Sequence, residues 1–82
     1  MAKFINAFTW KQAPDMSQLS AEQAWVREMM EKGLMLNLFL AADMSKGWVV
    51  WSVDSVDQIF KAMEKSPFSK FMNVTLTELM KD

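Results

Sequence analysis

Two carboxylates and a set of small polar side chains carry the reactive chemistry this chain has to offer. Asp43 and Asp54 each close a stretch that reads as a β-strand. Alternation along those stretches turns both acids toward the face expected to carry Asn6, Asn37, Asn73 and Thr75. The amides and the hydroxyl could orient a carbonyl or carboxylate, or pair with one another and with water. The 82 residues include no histidine and no cysteine. Their absence excludes Ser–His and Cys–His nucleophiles, imidazole acid–base work and the commonest metal ligand. The two glycines, Gly33 and Gly47, are too few for a phosphate-cradling loop. No cofactor and no metal are expected, and acid–base work falls to a carboxylate. Asp54 precedes Ser55 at the start of an expected helix, where a negative charge is favourable for structural reasons alone. Asp43 opens the turn Asp43-Met44-Ser45-Lys46-Gly47, which also has a purely structural explanation. Of the two, Asp43 is the candidate general acid/base. Its strand end is expected to gather Trp10, Trp48, Phe71 and Asn73, with the 11–19 loop above as a lid. Burial beside two indoles is expected to raise its pKa.

The elements that position these groups follow from periodicity. Residues 3–10, KFINAFTW, alternate Phe4, Asn6, Phe8 and Trp10 against Ile5, Ala7 and Thr9, as a strand does. After a loop containing Pro14, a helix starts at Ser17 or Ser20, the latter forming a capping box with Gln23. Trp25, Val26, Met29 and Met30 make its apolar stripe, and Gly33 is placed to end it. A second strand covers about 35–42 and a third covers WVVWSV at 48–53. Ser55 and Gln58 form another capping box, before the stripe Val56, Ile59, Phe60 and Met63. Pro67 stops that helix, and a last strand covers about 71–79. The order β-α-β-β-α-β predicts an α+β, ferredoxin-like domain over residues 1–82, a four-stranded antiparallel sheet with both helices on one face.

Composition bounds the rest. Hydrophobic residues at 51% and charged residues at 23% describe one globular domain. A formal charge of −1 gives no attraction to nucleic acid or to anionic lipid, so neither is an expected partner. The N-terminal MAKFINAFTW has no apolar run suited to a signal peptide, and LMLNLFLAA at 34–42 is too short to span a bilayer. A soluble, cytoplasmic chain is expected. Its nine methionines suit adaptable core filling or a pliable ligand surface.

KGWVVWSV at 46–53 puts two tryptophans three residues apart, hence on opposite faces of a strand. Alternation assigns Ile5, Ala7, Leu36, Leu38, Leu40, Val49, Trp51, Val53, Met72, Val74 and Leu76 to the helix-covered face. The other face receives Phe4, Asn6, Phe8, Trp10, Asn37, Phe39, Trp48, Val50, Ser52, Asn73, Thr75 and Thr77. An apolar face of that size needs a cover. RNA is one candidate, because Lys46, Gly47 and Trp48 resemble the start of the third-strand signature of RNA-recognition motifs. Val50 and Val53, however, occupy the positions where that family stacks bases on aromatic rings. The other candidate is the same sheet of a second subunit, enclosing a cavity lined by Asn6, Trp10, Asn37, Phe39, Trp48, Asn73 and Thr75.

The helix ending EKG at 31–33, the apolar second strand, the strand closing into VDS at 53–55, SVDQIFKAM and the tail SPFSKFMNVTLTEL resemble the muconolactone isomerase family. That resemblance implies a homo-oligomer built from dimeric α/β barrels and cofactor-free proton transfer on a small lactone acid. Asp43 would then move the proton, and Asn73 or Asn37 would bond the enolate oxygen. Two function classes follow: such an isomerase, and a non-catalytic ligand-binding or assembly module.

Overall fold

The computed structural model describes residues 2–80. Four strands, β1 (Ala2–Trp10), β2 (Met35–Leu40), β3 (Lys46–Val53) and β4 (Met72–Glu78), form one sheet in the order β2-β3-β1-β4. Every neighbouring pair is antiparallel. Helices α1 (Leu19–Glu31) and α2 (Val56–Met63) complete the β-α-β-β-α-β order and the ferredoxin-like arrangement. Among the described residues no helix is long and apolar enough to cross a membrane.

Local chemistry explains where the helices begin and end. Asp15 Oδ1 accepts from Ser17 N at 3.0 Å and from Ser17 Oγ at 2.6 Å, starting a 3-10 turn at Met16–Gln18 that leads straight into α1. Helical winding is therefore under way before Ser20, which lies inside α1 and leaves the expected capping box unformed. At the other end Gly33 has φ +74°, its N–H donates to Met30 O, and Leu34 N donates to Met29 O. This paired closure is a Schellman motif, with glycine free to take the left-handed turn. Ser55 makes no side-chain cap bond to α2; Gln58 Oε1 instead accepts from Asp54 N at 2.9 Å, one residue earlier than the box predicts.

The face assignment of β1 is the main correction. Phe4 pairs with Trp51, Asn6 with Val49 and Phe8 with Gly47, so the even residues of β1 share the helix-covered face. Phe4, Asn6 and Phe8 are buried, whereas Ile5, Ala7 and Thr9 join Trp48, Val50, Thr75 and Thr77 on the open face. Both halves of the strand carry apolar residues, so only pairing with β3 selects between them. A second correction concerns β2. Met35 pairs with Trp51 and Asn37 with Val50, so Leu36 is an extra residue in a bulge. Met35 is buried in its place, and Leu36 is 41% exposed. In α2 the inward residue is Ile59, and Phe60 is exposed.

Trp51, Val53 and Ile59 are fully buried at the centre, with Phe4, Phe8, Met29, Met35 and Val49 around them. Trp25 Nε1 donates to Ala62 O at 2.9 Å, tying α1 to α2 across this core.

Candidate functional site

The sheet and the helices do not close on each other completely. A cavity of about 440 Å³ lies between them, on the same side of the sheet as the core. Asn6, Phe8 and Trp10 form its wall on β1, Val49 and Trp51 on β3, and Met35, Leu38 and Leu40 on β2. The opposite wall is the inward side of α1, and Met63, Ser66 and Phe68 close the end next to α2. Met16, Leu19, Gln23, Leu40 and Met44 line the cavity and are also solvent-exposed, so its mouth lies there and is largely apolar. Trp10 Nε1 donates to Met44 O at 2.9 Å, fastening the β2–β3 turn to the end of β1 beside that mouth. The 11–19 segment contributes to the wall through Met16 and Leu19.

Among the described residues one ionisable side chain lines this cavity, Glu22. Glu22 sits in the first turn of α1, in line with Trp25, Val26 and Met29 at helical spacing, and so turns inward. Its Oε1 accepts from Ser66 Oγ at 2.6 Å and from Phe68 N at 3.1 Å, two donors that come from the turn after α2. Ser66 is itself buried, and Ser69 Oγ closes the same turn by donating to Met63 O at 2.8 Å and Ser66 O at 3.0 Å. Asn6 is 3% exposed; its Nδ2 reaches only the Met63 sulfur at 3.8 Å, and its Oδ1 has no partner. Trp51 Nε1 is likewise buried without a partner. Buried polar atoms are normally paired, and two orphans on one cavity wall are unusual.

The residues singled out from the sequence divide between the two sides of the sheet. Asn6 and Trp10 line the large cavity. Trp48, Asn73 and Thr75 line a shallow groove of about 130 Å³ on the open face, and Asn37 and Phe39 belong to that face through their pairing with β3. That face also carries Lys3 and Lys46 at its ends, and the Lys46 ammonium lies 5.8 Å from the centre of the Trp48 ring. Asp43 lines neither cavity. Its Oδ1 accepts from Ser45 Oγ at 2.7 Å and Ser45 N at 3.0 Å. These bonds, the hydroxyl's first, hold its carboxyl below the usual carboxylate range, opposite to the shift expected from burial beside indoles. The carboxylate is in water, bracing a turn in which Met44 has φ +64°. Asp54 is exposed at the entrance to α2.

Glu22 and Ser66 were not legible as a pair, since 44 residues separate them. The available signal was an acid aligned with the apolar stripe of α1.

The family model described as muconolactone delta-isomerase matches residues 7–82. The chain belongs to the muconolactone delta-isomerase family. No curated protein matches it significantly. Membership agrees with the ferredoxin-like sheet and helices described above, and the match begins inside β1 at Ala7 and takes in every later element.

Proposed function

We propose that this muconolactone isomerase-like chain binds a small, partly apolar lactone or organic acid in the cavity between its sheet and helices, and isomerises it by cofactor-free proton transfer through Glu22. The observation that carries this is a single carboxylate, among the described residues, in a largely apolar cavity, with one oxygen held by two donors. Moving a proton between carbons requires a base in contact with the substrate and an environment that keeps water out. Trp10, Trp25 and Trp51 provide flat apolar walls for an unsaturated ring. In this scheme Glu22 takes a proton from the carbon next to the carbonyl and returns it further along the conjugated system. Asn6 lies in the same cavity and has an amide N–H to offer a developing enolate oxygen. Asp43 then serves the turn rather than the reaction.

The open face has a separate part. Phe39, Trp48, Val50 and Ile5 give it apolar character away from the cavity, and we assign it to contact between subunits of a homodimer or higher homo-oligomer. A chain without cysteine suits the reducing cytoplasm.

The test is hydrogen exchange into small unsaturated lactones in D2O, followed by proton NMR. Glu22→Gln keeps the shape of the side chain and removes the proton carrier, so exchange should fall by roughly a hundredfold or more while binding survives. Undiminished exchange in Glu22→Gln would remove Glu22 from the mechanism. Binding without any exchange in the wild type would favour a non-catalytic carrier, for which the bonds from Ser66 and Phe68 already give Glu22 a structural role, joining α1 to the turn after α2.

A further inference from the structure

We propose that Met16 and Met44 are paired oxidation sites at the cavity mouth, where a hydroperoxide converts both thioethers to sulfoxides and so weakens ligand binding. This rests on the assignment of the cavity as the ligand site. The tripeptide Asp-Met-Ser occurs twice, at 15–17 and at 43–45, and it folds the same way both times. Asp15 Oδ1 accepts from Ser17 Oγ at 2.6 Å and from Ser17 N at 3.0 Å. Asp43 Oδ1 accepts from Ser45 Oγ at 2.7 Å and from Ser45 N at 3.0 Å. Each clip spans one methionine, and both methionines line the cavity while standing 60% and 58% exposed. Trp10 Nε1 on Met44 O fixes the second turn further. Two segments on either side of α1 and β2 thus present the same side chain at one opening.

A thioether is apolar and flexible, and its sulfur reacts with peroxide oxygen. The sulfur lone pair attacks one oxygen of hydrogen peroxide, the O–O bond breaks and an S–O bond forms. Sulfur loses two electrons and peroxide gains them. The displaced hydroxide takes the proton from the transferred oxygen, leaving sulfoxide and water. Exposure selects which methionines react. Met29 and Met35 are buried and shielded, whereas Met30 and Met80 are exposed but do not line the cavity. At the mouth, oxidation sets a polar S–O group beside Leu19 and Leu40 on a largely apolar rim. A ligand seated there would strip water from the sulfoxide oxygen, which costs free energy unless a donor replaces it. The clips hold the modified residues at the opening, and enzymatic reduction of the sulfoxides makes the change reversible.

The experiment treats the full chain with hydrogen peroxide and locates the sulfoxides by peptide mass spectrometry. Binding of muconolactone is read before and after from tryptophan fluorescence, because three of the indoles line the cavity. Met16 and Met44 should oxidise about tenfold faster than Met29 and Met35 or more, and affinity should fall about tenfold once both are sulfoxides. Methionine sulfoxide reductases of both stereospecificities should restore it. In Met16→Leu/Met44→Leu, read against its own untreated affinity, peroxide should cause no loss, whereas Met30→Leu/Met80→Leu should lose affinity as the wild type does. Full affinity in wild type carrying both sulfoxides, or an equal loss in Met16→Leu/Met44→Leu, would overturn the proposal while leaving the cavity as the ligand site. Failure of the untreated wild type to bind muconolactone at millimolar concentration would overturn both.

Discussion

Gly47→Ala should be among the most damaging single-methyl additions this chain can receive. Gly47 faces the helix-covered side of β3, opposite Phe8 on β1. A Cβ built there would lie 2.5 Å from Phe8 Cζ, 2.6 Å from Phe8 Cε2 and 2.9 Å from the backbone oxygen of Phe39. The ring cannot simply swing aside. It packs edge-on against Trp10 at 5.5 Å between centroids, and Trp10 in turn meets Phe68 at 5.9 Å and is tethered to Met44 O. The Phe39 carbonyl belongs to β2, so relieving the third contact means moving a strand. Overpacking of this kind costs about 1–3 kcal/mol. In a domain of this size that corresponds to a fall in Tm of roughly 5–20 °C. Gly33→Ala is the informative control, because nothing lies within 4 Å of its added Cβ and the penalty comes only from φ +74°. Its loss should be about 1–2 kcal/mol, from left-handed strain. Thermal unfolding followed by circular dichroism checks both. Phe8→Leu should cost less in the Gly47→Ala background than in the wild type, because the two side chains compete for one volume. A Gly47→Ala protein melting within about 2 °C of wild type would refute the idea that Phe8 and Phe39 are fixed there.

Trp25→Phe removes the N–H donated to Ala62 O at 2.9 Å and should lower stability by about 1 kcal/mol, measured by denaturant unfolding. An unchanged midpoint would mean that this link between α1 and α2 contributes nothing. Asp43, with its folded-state pKa depressed by Ser45, stabilises the fold above the unfolded carboxylate pKa, and that contribution disappears as pH falls through the folded value. Asp43→Asn should therefore show a shallower loss of Tm with acidification below about pH 4, where wild-type carboxylates take up protons. Superimposable acid limbs would contradict this. Phe39→Lys, on a side chain 53% exposed in the single subunit, should split the proposed homo-oligomer in sedimentation experiments by placing an unpaired charge in the contact. A wild type that sediments as a monomer at micromolar concentration would end the case for that interface.

Local interactions were readable before folding was considered. Gly33 closes α1 because a left-handed residue is needed there, and the spacing of Trp25, Val26 and Met29 sets which side of the helix turns inward. The element order and the burial of Trp51 beneath the helices follow from periodicity in the same way. What periodicity cannot supply is a choice between two equally apolar faces. Phe4, Asn6 and Phe8 compete with Ile5 and Ala7, and the pairing of Phe4 with Trp51 decides, since a one-residue slip would carry every side chain to the other side. That choice moved Asn6 and Trp10 from the open face to the covered one and so relocated the cavity. The bulge at Leu36 is a second decision of the same kind, made by strand pairing and not by composition. Glu22 is the clearest case. Alone it is an ordinary helix acid, and it becomes a candidate proton carrier only because the chain returns after α2 to set Ser66 and Phe68 N against its Oε1. Short-range propensity acts within a few residues, whereas a site is built from contacts whose partners lie tens of residues apart, and only the packed structure determines those.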